Sequence, residues 1–179
     1  VMYSATFGGN GRTCRTCHSQ ETGTVSPQDA QQRFRKDPND LLFLLGGSAD
    51  GHGDGVTRML KDATVLVTVP LAPNVRLADD PGARSVVVRR GISTTLNTPA
   101  LDPVLTADGR EPSLEAQAAR AILDHDQGSV PSAEELSAIA SFEKTSGFFS
   151  SPALRRFALE SGPAPQLPQG NTESEKGGG

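Results

Sequence analysis

The sequence predicts a mainly α fold of short helices and long loops, interrupted by one small β-hairpin insertion. Helical spacing of apolar residues, opened by Ser or Ser-Pro start signals, appears near Ser26 and again after Ser113, Ser132 and Ser151. Two β-branched runs, "ATVLVTVP" (Ala63–Pro70) and "RSVVVRR" (Arg84–Arg90), flank a Pro/Asp-rich loop and read as a hairpin or two strands of one small sheet. Turns fill the remainder, as 19 Gly and 13 Pro among 179 residues require.

The first element is a glycine-rich loop leading into "GRTCRTCHSQ", which holds both cysteines of the chain, Cys14 and Cys17, with His18 directly after the second. C-x-x-C-H is the attachment signature of c-type haem. Two intervening residues set the sulfurs at the separation of the two haem vinyl groups, and the next residue lies where its imidazole can bind the iron. Three plainer assignments compete. A structural zinc site wants four ligands, and no second cysteine pair exists. A thioredoxin-like pair wants a strand before it, where this chain has "FGGNGRT". A disulfide across two residues closes too small a loop to stabilise much. One covalently attached haem c is the expected cofactor.

The next stretch, "SPQDAQQRFRKDP", reads as a helix with Ser26 as N-cap, Pro27 at its first position, Asp29 completing a capping box and Pro38 stopping it. "DLLFLLGG" is a brief apolar stretch expected in the core, followed by a Gly/Asp loop around His52. After the hairpin, "STTLNTPALDPVLTADGRE" reads as irregular. The helix after Ser113 places Leu114, Ala118, Ala121 and Ile122 on one face and ends near Gly128. Ser132 and Glu135 form a second capping box, with Leu136, Ile139 and Ala140 facing inward. A last helix opens at Ser151–Pro152 and stops at Gly162. Residues 1–162 are expected to form one domain, and 163–179, with little to bury, a flexible tail or linker.

Composition narrows the function. Only 35% of residues are hydrophobic and 4% aromatic, so the core looks thin unless an apolar cofactor fills its centre. A net charge of −4, with no basic stripe, argues against nucleic acid. No apolar run approaches bilayer length. The chain opens at Val1 without a charged-then-apolar leader, as a removed signal peptide or excision from a longer protein would leave it, and a periplasmic or otherwise extracytoplasmic location is expected.

Three blocks carry a family resemblance: "FGGNGRTCRTCH", "LNTPALDPVLTADGREPSLEAQA" and "LSAIASFEKTSGFFSSPALRRF". In this order they resemble the N-terminal haem domain of the bacterial di-haem cytochrome c peroxidase superfamily. The resemblance spans Phe7 to Phe157 and implies a cytochrome c-like haem domain. It also implies a second haem domain after a segment like "GNTESEK", where this chain ends in Gly177–Gly179; the expectations are the first half of a two-haem protein or a single-haem relative. Within the resemblance Gln117 matches the family's distal glutamine. Ala107 stands where a tryptophan usually sits between the haems, and Gln127 where the family places its acid–base glutamate. The hairpin replaces the loop that carries the family's switchable distal histidine.

A sixth iron ligand has three candidates, or the site is open. His125 ends the long helix, Met59 could supply a thioether, and His52 sits in a glycine loop. Plainer roles are a dipole-favoured helix-end residue for His125 and core filling for Met59. His125 ranks first. Arg12, Arg15, Arg58 and Lys61 could pair with haem carboxylates or rim a docking surface, and each alone reads more simply as solvated surface. The expected function is electron transfer, as carrier or relay, with a redox partner protein or second haem domain. The alternative is the peroxidatic half of a di-haem peroxidase-like oxidoreductase.

Overall fold

The structure is a computed structural model that describes residues 2–47 and 55–161. A 3-10 turn at Met2–Ser4 opens the chain, followed by α1 (Cys14–Cys17), α2 (Pro27–Lys36), a 3-10 segment (Leu41–Gly47) and α3 (Thr57–Asp62). The strands β1 (Thr64–Pro70) and β2 (Ser85–Gly91) come next. Helices α4 (Thr98–Leu101), α5 (Leu114–Asp124), α6 (Ala133–Thr145) and α7 (Pro152–Ser161) complete it. The architecture is mixed, with seven α-helices and one two-stranded antiparallel sheet among the described residues.

The helices begin where their side chains satisfy the free N–H groups of the first turn. In α2 the Asp29 N–H donates to Ser26 Oγ at 3.1 Å and the Ser26 N–H to Asp29 Oδ2 at 2.9 Å, the expected capping box. In α6 the same exchange joins Ser132 and Glu135 at 3.2 and 2.8 Å. Ser113 Oγ accepts from Ala116 N–H at 3.1 Å, and Ser151 Oγ from Leu154 N–H at 3.2 Å. Helix α5 stops as expected: Gly128 N–H reaches back to the Ile122 carbonyl at 3.1 Å.

The hairpin lies within one residue of its expected bounds, with Thr64 opposite Gly91 and Pro70 opposite Ser85. Proline closes the end of β1, where its missing donor costs the ladder least. Burial alternates along β2, so one of its faces lies against the protein. Three short helices were not expected. Helix α4 falls in the stretch read as irregular, opened by Asn97 in a left-handed conformation (φ 68°) and by Pro99. Helix α3 ends at Ala63, also left-handed (φ 48°), which turns the chain directly into β1. The third is α1, a single turn with the cysteines at its two ends.

The core is divided. Val25, Ala30, Leu42, Phe43, Met59 and Ala63 form one buried cluster, on which Cys17 and Val65 pack. Leu105, Leu114 and Ala140 form a second, and Ala118, Ile122 and Ile139 a third. A domain of this size ordinarily has one contiguous core. Here Cys17 of α1 packs on the first cluster, while α5 and α6 supply all of the other two but Leu105. Phe149 gathers a separate aromatic group, its ring centroid 4.8 Å from Phe148, 5.5 Å from Phe142 and 5.6 Å from Tyr3. The expected tail and the His52 loop lie outside the described residues.

Candidate functional site

Cys14 and Cys17 open and close the single turn of α1, a spacing of three that puts both side chains on one face. The turn is held at both ends: Thr13 N–H donates to Thr16 Oγ1 at 3.0 Å, and His18 N–H to the Cys14 carbonyl at 2.9 Å. Arg33 ties it to α2, donating to the Thr16 carbonyl at 2.6 Å while its Nε bonds Asp40 at 2.9 Å. Arg12, 3% exposed, donates to the carbonyls of Leu41 and Leu44 in the 3-10 segment.

His18 is oriented by backbone. Its Nδ1 lies 2.7 Å from the Gly23 carbonyl. A carbonyl only accepts, so Nδ1 carries the proton and Nε2 keeps its lone pair. Gly23 is glycine for two reasons: its φ is +65°, and a Cβ would come within 2.8 Å of Thr94 Oγ1 and 2.9 Å of Thr95 N. Its carbonyl also accepts from Thr95 N–H at 3.1 Å, which fixes it in space.

His125 is the C-cap of α5, its N–H donating to Ala121 O at 2.8 Å. The segment after it is fastened to the loop before α1. Asn10 Nδ2 donates to the His125 carbonyl at 3.0 Å and Asn10 N–H to the Asp126 carbonyl at 2.8 Å. Ser129 N–H adds a bond to the Phe7 carbonyl at 3.0 Å. The cysteine loop and the His125 segment are one hydrogen-bonded unit.

Electrostatics set the protonation states. Burial pushes the Cys14 thiol up to about 12, and raises that of Cys17 against the pull of Arg12 and Arg33. Both are therefore neutral thiols, unlike the activated thiolates of redox-exchange or metal-thiolate sites. Burial lowers the pKa of His18, opposed by the carbonyls of Gly23 and Ser93. Burial also lowers that of His125; the Asp124 carboxylate opposes this, and positive charge on His18, Arg12 or Arg110 adds to it. The two imidazoles are thus near enough to sense each other, and both are neutral bases at pH 7. His18 is half-buried and His125 is exposed, although protein atoms crowd around both rings.

A haem suits this donor set. Among the described residues no three His, Cys, Asp or Glu converge to hold a bare metal ion. A porphyrin brings four nitrogens of its own, and asks of the protein only two thiols and one or two axial bases. Cys14, Cys17 and His18 offer that minimum from one turn and the residue after it, and His125 would be the second base.

The other sequence candidates are distributed as follows. Met59 has no exposed surface and fills the first cluster beside Leu42 and Phe43. His52 lies outside the described residues. Gln117 is half-buried on α5; Gln127 is exposed in a left-handed turn (φ 52°), and Ala107 is exposed in a loop. Arg12 and Arg58 are buried, at 3% and 7% exposure, which corrects the solvated-surface expectation for both. For Arg12 the cause is the pair of carbonyls that its guanidinium satisfies. Arg15 and Lys61 are exposed as expected. Asn10 and Gly23 escaped notice because a single residue in a turn-rich loop leaves no periodic signal; the glycine five residues after His18 was the only hint. No described helix is long and apolar enough to cross a membrane. No protein-family model, curated protein or solved structure matches this chain.

Proposed function

We propose that this chain is a c-type haem protein of cytochrome c-like fold that transfers electrons, as a single-haem carrier or as a relay to a partner haem domain or protein. The observation that carries the proposal is the His18–Gly23 hydrogen bond at 2.7 Å, which puts the proton on Nδ1 and the lone pair on Nε2 of the residue that directly follows two neutral thiols on one helical turn. Haem, when bound, supplies a one-electron iron couple. Everything else falls to the chain.

Cys14 and Cys17 would hold the cofactor by thioether bonds, so that it does not exchange between partners. His18 would bind the iron from one face, with Gly23 sharing its Nδ1 proton and strengthening Nε2 as a base. His125 would bind from the other, and two imidazoles would leave no position for a substrate. Gln127 supports transfer over peroxide chemistry, since an amide neither takes nor gives a proton at neutral pH and general acid–base catalysis requires one that does. Periplasmic or other extracytoplasmic attachment accompanies this assignment.

The test joins extraction with spectroscopy. Acidified organic solvent should leave all haem with the polypeptide, and the ferric protein should show a six-coordinate low-spin spectrum at neutral pH. Haem in the organic layer refutes covalent attachment. A high-spin spectrum with fast peroxide turnover replaces electron transfer by the peroxidatic alternative.

A further inference from the structure

Glu143 lies on α6, remote in sequence from Cys14, His18 and His125, and its Oε2 is buried with no hydrogen-bond partner among the described residues. A buried carboxylate oxygen without a donor is costly in its charged form. Among the described residues no cation relieves the cost. Of the elements packed on α6, α5 presents Glu115 and the opening 3-10 turn Tyr3; that turn packs in addition on α1, which carries the Cys14 thiol. Helix α4, Thr98–Leu101, contains no titratable residue. The Tyr3 hydroxyl is engaged elsewhere, 3.1 Å from Thr95 Oγ1.

The carboxyl is electrically coupled to the attachment point. Negative charge on Glu143 raises the pKa of the Cys14 thiol, opposing further negative charge there. Such coupling is reciprocal: a negative charge added at the cofactor site must favour the protonated form of Glu143 to the same extent. Burial, reinforced by Glu115, pushes the Glu143 carboxyl up to about 7, so near neutral pH the proton is poised to move under a small change of field.

Resting on the proposed electron-transfer function, we propose that Glu143 is a redox-linked proton site, taking up a proton when the haem attached at Cys14 takes up an electron. The electron comes from a one-electron reductant and the proton from water, through the part of the half-buried side chain that solvent reaches. Net charge at the site stays constant. Oxidation returns the electron to an acceptor and the proton to solvent.

The experiment is a spectroelectrochemical titration of the haem-loaded full chain between pH 5.5 and 8.5, with Glu143→Gln and Glu115→Gln beside it. Wild-type potential should fall with rising pH, approaching tenfold in the reduction equilibrium per pH unit, or about 59 mV for one electron. Glu143→Gln should be nearly flat, lying at the wild-type low-pH value because an amide mimics the protonated acid. Glu115→Gln should move the sloping region to lower pH, since it removes the neighbouring negative charge. Reduced-minus-oxidised infrared spectra should show a protonated carboxyl band in wild type that Glu143→Gln lacks. A wild-type slope no steeper than that of Glu143→Gln overturns the proposal, as does a slope that survives the substitution. A pyridine haemochrome assay on the same samples keeps the two levels apart: absence of covalent haem refutes the haem assignment itself, and haem present with a flat wild-type potential refutes only the role of Glu143.

Discussion

A Cβ built on Gly9 would stand 2.1 Å from the carbonyl oxygen of Asp126 and 2.5 Å from that of Gln127. No side chain fits there, and φ at Gly9 is +74°. Backbone-to-backbone packing at Gly9 holds the loop entering α1 against the residues that follow His125. This close approach joins the hydrogen bonds of Asn10 and Ser129 in holding together the segments that carry the two candidate axial histidines.

The Gly9→Ala variant should lose stability for two separable reasons, a strained positive φ and a collision with a main chain that cannot rotate away. Each such mechanism costs on the order of 1–3 kcal/mol. On the proposed function the variant should also displace His125 and shift a low-spin spectrum toward high spin. Thermal melting tests the first effect and visible spectroscopy the second. An unchanged spectrum in a clearly destabilised protein would separate the packing role of Gly9 from any role in ligation.

Ser132→Ala should lower stability by about 1 kcal/mol, the usual cost of removing a serine N-cap, since Glu135 N–H then loses its acceptor. The reciprocal bond from Ser132 N–H to Glu135 is retained, so the loss should stay below that of Ser132→Pro. Denaturant melts of the two variants check the order.

These caps show what the sequence exposes well. A Ser followed three residues later by Asp or Glu encodes a local hydrogen-bond exchange, and α2 and α6 begin where that pattern places them. The β-branched runs encode the hairpin in the same local way. The cysteine motif is also local, and its residues stand together on one turn. Long-range relationships were hidden. Glu143 looks like an ordinary polar residue of α6, and only its burial beside Glu115 makes its carboxyl unusual. Arg12 read as surface because nothing in the sequence says that the Leu41 and Leu44 carbonyls will need a donor. Helix α4 was missed because four residues are too few to establish a period.

The raised Glu143 pKa also makes stability depend on pH. Its unfolded value is near 4.5 and its folded value about 7, so between these limits the native state holds a proton that the unfolded chain has released. Stability therefore falls as pH rises through this window, and the penalty is complete above it. The full difference is on the order of 3 kcal/mol at about 1.4 kcal/mol per pH unit. Glu143→Gln should accordingly gain stability relative to wild type at pH 8 and little at pH 4.5. Chemical denaturation at both values tests the sign; a larger gain at acid pH would contradict it.

His18→Ala should cost more stability than one buried imidazole accounts for. The three apolar clusters do not merge, and on the proposed function the cofactor is what joins them. A group bound only by the native state stabilises it through linkage, and removing the axial bond weakens that binding even where thioethers persist. Gly23→Ala is the companion variant. It keeps the imidazole but moves its partner, because the new Cβ would press on Thr94 and Thr95. Both variants should melt well below wild type, with the larger spectral change in His18→Ala. Near-native melting of His18→Ala would show that the core does not depend on the ligand.

The decisive comparison is peroxide turnover in His125→Ala and Gln127→Glu. His125 is held by its backbone: its N–H caps α5 and its carbonyl accepts from Asn10, so truncating the imidazole leaves both bonds in place. An open iron face should then appear as a shift toward a high-spin spectrum without global unfolding. Gln127 requires a second condition. It is exposed in a left-handed turn whose carbonyl oxygen packs on Gly9, and its backbone is fixed whatever side chain it carries. Glutamate there would supply the missing acid–base group only if the iron face were open, and such groups contribute roughly 10²–10⁴-fold. The single Gln127→Glu variant should therefore stay close to the feeble wild-type rate. His125→Ala should raise it modestly, and the double variant should exceed the product of the two single effects. That non-additivity is the signature of one group gating the action of the other. Brisk wild-type turnover, with no spectral change in His125→Ala, would remove both His125 as a ligand and electron transfer as the function.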